Sequence, residues 1–185
     1  MLNLLHGALI RKEPKFRNLL AQNKYYFIPA VNPDGLALVE DYFTDNNEIM
    51  KKRKNMSPEA QQSMYSKEVC KPEDSGVDLN RNWGVDFYEK VSQEEAGPQD
   101  KVWDDCSDPC GECYRGKEPF SEPETRALRD FLTEHKDEIK FVSNTHSYGN
   151  MWIYPYNGQA KNNIEERNPT QFLALKEIAE GAKFP

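Results

Sequence analysis

The sequence predicts an α/β fold with a largely parallel sheet, on three observations. "YYFIPAV" (25–31) is a continuous β-prone run, as expected of a strand buried on both faces. "KFVSNTH" (140–146) and "NMWIYPY" (150–156) are two more strand candidates. Helical patterns alternate with these runs, and that alternation indicates a parallel core.

Each element follows from local chemistry. Within residues 2–22, Leu2, Leu5, Leu9, Phe16, Leu19 and Leu20 are spaced for one buried helical stripe, which Pro14 is expected to interrupt. "NPDG" (32–35) reads as a turn directly after the first strand. The charged run "NNEIMKKRKN" leads into a polar, loop-rich region at 55–75, and a second such region spans about 89–118. "SEPE" (121–124) is a capping box with proline in the first turn, opening a helix to about residue 137. Asn168-Pro169 starts a final helix reaching about residue 182.

At 185 residues the chain is one domain, long enough for a core. Hydrophobic residues at 37% and aromatics at 11% argue against disorder, while 30% charged residues make a very polar surface. The net charge of −7 argues against nucleic acid as a partner. No apolar run approaches membrane-spanning length, the N-terminus lacks the basic start and cleavage site of a signal peptide, and there is no internal repeat. Cys70, Cys106, Cys110 and Cys113 all lie in the middle third, and Cys110 and Cys113 form a CxxC. That spacing suits zinc or redox chemistry. Two disulfides are favoured over a four-cysteine zinc site, because the surrounding loops are rich in Asp, Pro, Gly and Ser; secretion is the implied history.

One stretch asks for chemistry. In "GVDLNRNW" (76–83), Asn80 and Asn82 invite a turn and offer amide donors. Arg81 between them adds a planar fork that suits a carboxylate or phosphate. Alone this is an ordinary solvated turn with an ion pair. Long loops and strand ends are where α/β proteins place their sites, however, so the arginine is expected to face a cleft.

The motifs "VNPDG", "RKN", "GVDLNRNWG", "PCGECYRGKEPFSEPET" and "THSYG…YPY" occur in this order. In that order they resemble zinc metallocarboxypeptidases of the carboxypeptidase A/B type, from about residue 1 to the C-terminus. The resemblance implies a three-layer α/β/α fold around a mixed sheet, one catalytic Zn2+ in the full-length domain, and removal of C-terminal amino acids from peptides. The implied partner is a peptide or protein with a free C-terminus, with neither nucleic acid nor membrane, and the protein is expected to be a secreted or lumenal monomer. Asn80 and Arg81 match the pair that holds the substrate's terminal carboxylate. Arg53 matches the arginine that polarises the scissile carbonyl and stabilises the oxyanion. His146 matches the third zinc ligand, and Tyr148 resembles a residue lining an outer substrate subsite. Cys110 matches the family position that pairs with a cysteine just before "GVDLNRN", here Cys70, which leaves Cys106 to pair with Cys113. Non-proline cis peptides are implied at Ser147–Tyr148 and Pro155–Tyr156.

The departures are as specific. The family's HxxE, which supplies the first two zinc ligands, lies upstream of the "VNPDG" strand; here His6 is followed by Leu9 rather than a carboxylate at that spacing. His135 to Glu138 does spell HxxE, but it closes the "SEPE" helix and reads as a helix C-terminus. The family's catalytic Glu belongs well beyond "HSYG". The expectation is therefore a single partial peptidase domain over 1–185, truncated at both ends. Such a chain keeps the carboxylate clamp, leaves apolar sheet edges exposed, and by itself neither holds zinc tightly nor cleaves peptides. The alternatives are a non-catalytic module that binds C-terminal carboxylates, and a relative acting on other amides.

Overall fold

The computed structural model describes residues 10–56, 70, 74–85, 87, 106–146, 149, 151–156 and 164–181. Five α-helices occur among them: α1 (Pro14–Gln22), α2 (Pro33–Asn46), α3 (Pro123–Glu134), α4 (Ile164–Arg167) and α5 (Pro169–Gly181). Four of the five begin on a proline, whose missing N–H is one the first turn cannot satisfy anyway. Asn32 caps α2 by accepting the Gly35 N–H at 3.0 Å, and Asn168 caps α5 by accepting the Gln171 N–H at 3.1 Å. Asn47 ends α2 in the left-handed conformation, donating its N–H to the Phe43 carbonyl.

The expected sheet is absent: among the described residues no strand forms, and the three-layer α/β/α architecture is corrected accordingly. Residues 25–31, 140–146 and the described part of 150–156 form no ladder, and Phe27, Ile28, Val142 and Ile153 are exposed. β-propensity is realised only when a neighbouring strand supplies the ladder and a facing surface. Pro29 also removes a donor from the first run. "NPDG" is not a turn but the start of α2, since Asn-Pro-Asp serves equally as cap, N1 and first-turn acid. Pro14 starts a helix rather than interrupting one, and the part of the 2–22 pattern before residue 10 lies outside the described residues. The two helices expected from "SEPE" and Asn168-Pro169 form, as α3 ending at Glu134 and α5 ending at Gly181. The Ser121–Glu124 capping box does not form as such. Ser121 donates its hydroxyl to Glu122 instead, and Glu122 occupies the cap position with its carbonyl accepting from Arg126 and Thr125. No cis peptide bond occurs among the described residues, so Pro155–Tyr156 is trans; Ser147–Tyr148 lies outside them.

The interior is made by loops. Val77, Leu79, Phe87, Cys70, Cys106, Cys113 and Tyr114 are buried beside Lys54, Asn55, Asp78, Asn82, Glu122 and Thr125. A core so polar requires nearly every group to be hydrogen-bonded. Asn55 and Val77 bond reciprocally: the Asn55 N–H donates to the Val77 carbonyl at 3.0 Å, and the Val77 N–H to Asn55 Oδ1 at 2.9 Å. Gly76 permits this, with φ of +96° and no room for a Cβ against the Asn55 carbonyl.

Two disulfides close the same region, Cys70–Cys110 and Cys106–Cys113, in the pairing the family resemblance implies. The first spans 40 positions, and closing a loop of that length stabilises a fold by about 4 kcal/mol in the chain-entropy treatment.

Candidate functional site

Asp78 organises the site. It is buried at the N-terminus of a 3-10 turn, Leu79–Arg81, where its Oδ1 accepts the Asn80 N–H at 3.0 Å. Its own N–H donates to the Tyr114 carbonyl at 2.7 Å, and the Arg81 N–H returns to the Asp78 carbonyl at 2.8 Å. Val77 and Leu79, buried on either side, anchor this turn to the disulfide-closed loops.

Arg53 meets the same carboxylate. Its Nε–H donates to Asp78 Oδ2 at 2.7 Å, with the Arg53 side chain 40% exposed and the Asp78 side chain 3%. Arg81, half-buried, donates from Nη1 to the Asn80 carbonyl at 3.1 Å. Burial pulls Arg81 below its ordinary value, the nearby charge of Asp78 opposes that, and Arg53 adds to it. Arg53 and Arg81 are thus close enough to repel. A guanidinium stays protonated regardless, and of the two it is Arg53 that bonds the buried Asp78 carboxylate directly. Asn80, exposed, lies alongside.

Asn82 fixes the far side of the turn. It is fully buried, and its Nδ2 donates to the carbonyls of Arg115 (2.8 Å) and Glu118 (3.1 Å) and to Ser121 Oγ (2.8 Å). Its Oδ1 accepts the Glu122 N–H at 3.2 Å and the Thr125 hydroxyl at 2.7 Å. The first turn of α3 is thereby tied to the residue after Arg81. On the Arg53 side, Asn32 Nδ2 donates to the carbonyls of Arg53 (3.4 Å) and Lys54 (3.2 Å).

The fold therefore brings Arg53, Asn80 and Arg81 into one cluster. His146 is exposed, and no described contact joins it to that cluster. Tyr148 lies outside the described residues. His135 is the C-cap of α3. The described contacts of Glu138 are with Lys24 Nζ and Tyr26 Oη, both at 3.4 Å, and with the His135 ring at 3.9 Å. A lysine already occupies the anion, in keeping with its reading as a helix end. Sequence reasoning missed Asp78, Lys54 and Asn55 as organisers, and read Asn82 as a turn residue and amide donor without its burial. Only Asp78 carried a usable signal, an Asp placed two residues before an amide it can cap.

Two guanidiniums and an amide thus gather at one capped turn. The chain belongs to the zinc carboxypeptidase family, whose profile matches residues 1–183. It is 33% identical to carboxypeptidase B of Astacus astacus over 150 residues, which is 81% of this chain and 40% of that protein. It is 30% identical to the zinc carboxypeptidase of Simulium vittatum over 153 residues, 83% of this chain and 41% of the relative. With carboxypeptidase A1 of Rattus norvegicus it shares 33% over 145 residues, 78% of this chain and 27% of that protein. The chain thus spans about two fifths of the length of the first two relatives.

Zinc is the metal of this family. Among the described residues no three His, Cys, Asp or Glu side chains stand together as a metal-ligand set, and all four cysteines are committed to disulfides. The described residues by themselves do not fit the ion.

Proposed function

We propose that this chain is the substrate-carboxylate-binding part of a zinc-dependent metallocarboxypeptidase that releases C-terminal amino acids from peptides. The observation that carries this reading is the gathering of Arg53, Asn80 and Arg81 around the Asp78 turn, with Arg53 bonded to the carboxylate and the Asn80 N–H capped by it. Family membership supports it, as does the similarity to a carboxypeptidase B and a zinc carboxypeptidase. In this reading Asn80 and Arg81 hold the terminal carboxylate, while Arg53 stabilises negative charge on the scissile carbonyl oxygen. His146 is the family's third zinc ligand and Tyr148 lines an outer subsite. Two disulfides favour an oxidising, secreted or lumenal setting. We also propose that residues 1–185 alone bind such carboxylates without turning peptides over, because His6 is followed by Leu9 rather than by a carboxylate at the HxxE spacing.

One calorimetric experiment tests both statements. A short peptide with a free C-terminus is titrated into the chain, and its C-terminal amide in parallel, each with and without added zinc. The free acid is expected to bind and the amide to bind at least tenfold more weakly. Arg81→Ala should erase that difference, since a charge-assisted hydrogen bond is worth roughly 1.5–3 kcal/mol. Equal affinity for acid and amide contradicts the carboxylate role. Hydrolysis in the zinc-containing cell contradicts the second statement.

A further inference from the structure

Lys54 follows Arg53 and takes no part in the anion cluster, yet it is among the most buried side chains described, at 1% exposure. A lysine is rarely so buried without a carboxylate partner. Its ammonium instead donates to two backbone carbonyls, Pro109 at 2.8 Å and Gly111 at 2.9 Å, and stands 5.7 Å from the centre of the Tyr114 ring. Both carbonyls flank Cys110, which is bonded to Cys70, and both lie inside the loop closed by Cys106–Cys113. The acceptors therefore cannot drift. Arg53 and Lys54 are consecutive, with one side chain reaching the Asp78 carboxylate and the other the interior. On the next residue, Asn55 holds the chain to Val77, the neighbour of Asp78.

We propose that Lys54 is a positioning residue for Arg53: its ammonium, gripped by the Pro109 and Gly111 carbonyls, fixes the backbone from which Arg53 reaches Asp78 and the anion. The part concerning the anion rests on the carboxylate-binding reading above; the part concerning Arg53 does not. Burial, aided by repulsion from Lys52, pulls Lys54 down to about 8, while Asp74, Asp108 and Asp78 pull the other way. The grip of a charged ammonium on two carbonyl dipoles therefore weakens within an accessible pH range.

Nuclear magnetic resonance of the Arg53 Nε–H group in the 185-residue chain provides the test, beside titration with N-acetyl-phenylalanine. In Lys54→Met, which keeps the apolar stem, the Arg53 signal is expected to move toward those of exposed arginines and its proton to exchange at least tenfold faster. Lys54→Arg, which keeps a cation, should restore part of the protection. In the unaltered chain the Arg53 Nε shift should titrate with a midpoint near 8, which keeps the test available if Lys54→Met does not fold. An Arg53 signal unmoved in folded Lys54→Met, or unresponsive to pH between 7 and 9 in the unaltered chain, overturns the proposal. If N-acetyl-phenylalanine fails to bind the unaltered chain while the Arg53 signal responds as expected, the carboxylate reading falls and the positioning role stands.

Discussion

Residue types point to the proposed recognition chemistry and hide what holds the turn together. An arginine between two asparagines is legible as an anion fork, because few other combinations place that many donors on one turn. Nothing in a lone Asp78 or Lys54 says that it will be buried, since most such residues are solvated. Lys54 also makes stability depend on pH. Unfolded, it holds its proton to about its ordinary value of 10.5; folded, only to about 8. Between those values the unfolded chain binds more protons, so stability should rise with pH. Below 8 both states are protonated and the desolvation cost is present in full. Denaturant midpoints at pH 7.5 and 9.5 should therefore show the unaltered chain gaining on Lys54→Met. A gap that stays constant or moves the other way contradicts the lowered value.

Elements were legible where capping chemistry was local and illegible where pairing was distant. The helix starting at Pro169 announces itself through Asn-Pro, whereas the one starting at Pro123 forms although its expected Ser121–Glu124 box does not. "NPDG" was ambiguous, because a turn and a capped helix begin with the same residues. "YYFIPAV" shows apolar character but not whether a partner lies alongside, and that decides whether a strand forms. Asn32 joins the two levels. Its Oδ1 caps α2 while its Nδ2 reaches the carbonyls of Arg53 and Lys54. Asn32→Ala should cost about 1 kcal/mol for the cap, or somewhat more with the two long carbonyl contacts. Asn32→Asp keeps the acceptor and should lose less. Urea midpoints at unchanged slope measure both, and equal losses would show that the carbonyl contacts outweigh the cap.

At the scale of the whole molecule, sequence motifs identified the family while the predicted sheet did not form among the described residues. Motifs are short and survive inspection one at a time; a sheet is a set of long-range pairings that no single run specifies. What holds the described interior is covalent closure and paired polar groups rather than stacked apolar faces. Heat capacity is the property this interior should alter. Exposing apolar surface on unfolding raises it and exposing polar surface lowers it, and a typical protein nets roughly 12–15 cal/mol/K per residue. Here Lys54, Asn55, Asp78, Asn82, Glu122 and Thr125 would be hydrated along with the apolar groups, so calorimetry should find a value below that range. A value within it would mean that apolar burial dominates after all. If the change is that small, the stability curve is shallow and cold unfolding recedes to lower temperature, so the Arg53–Asp78 pair keeps its shape over a wide span of temperatures.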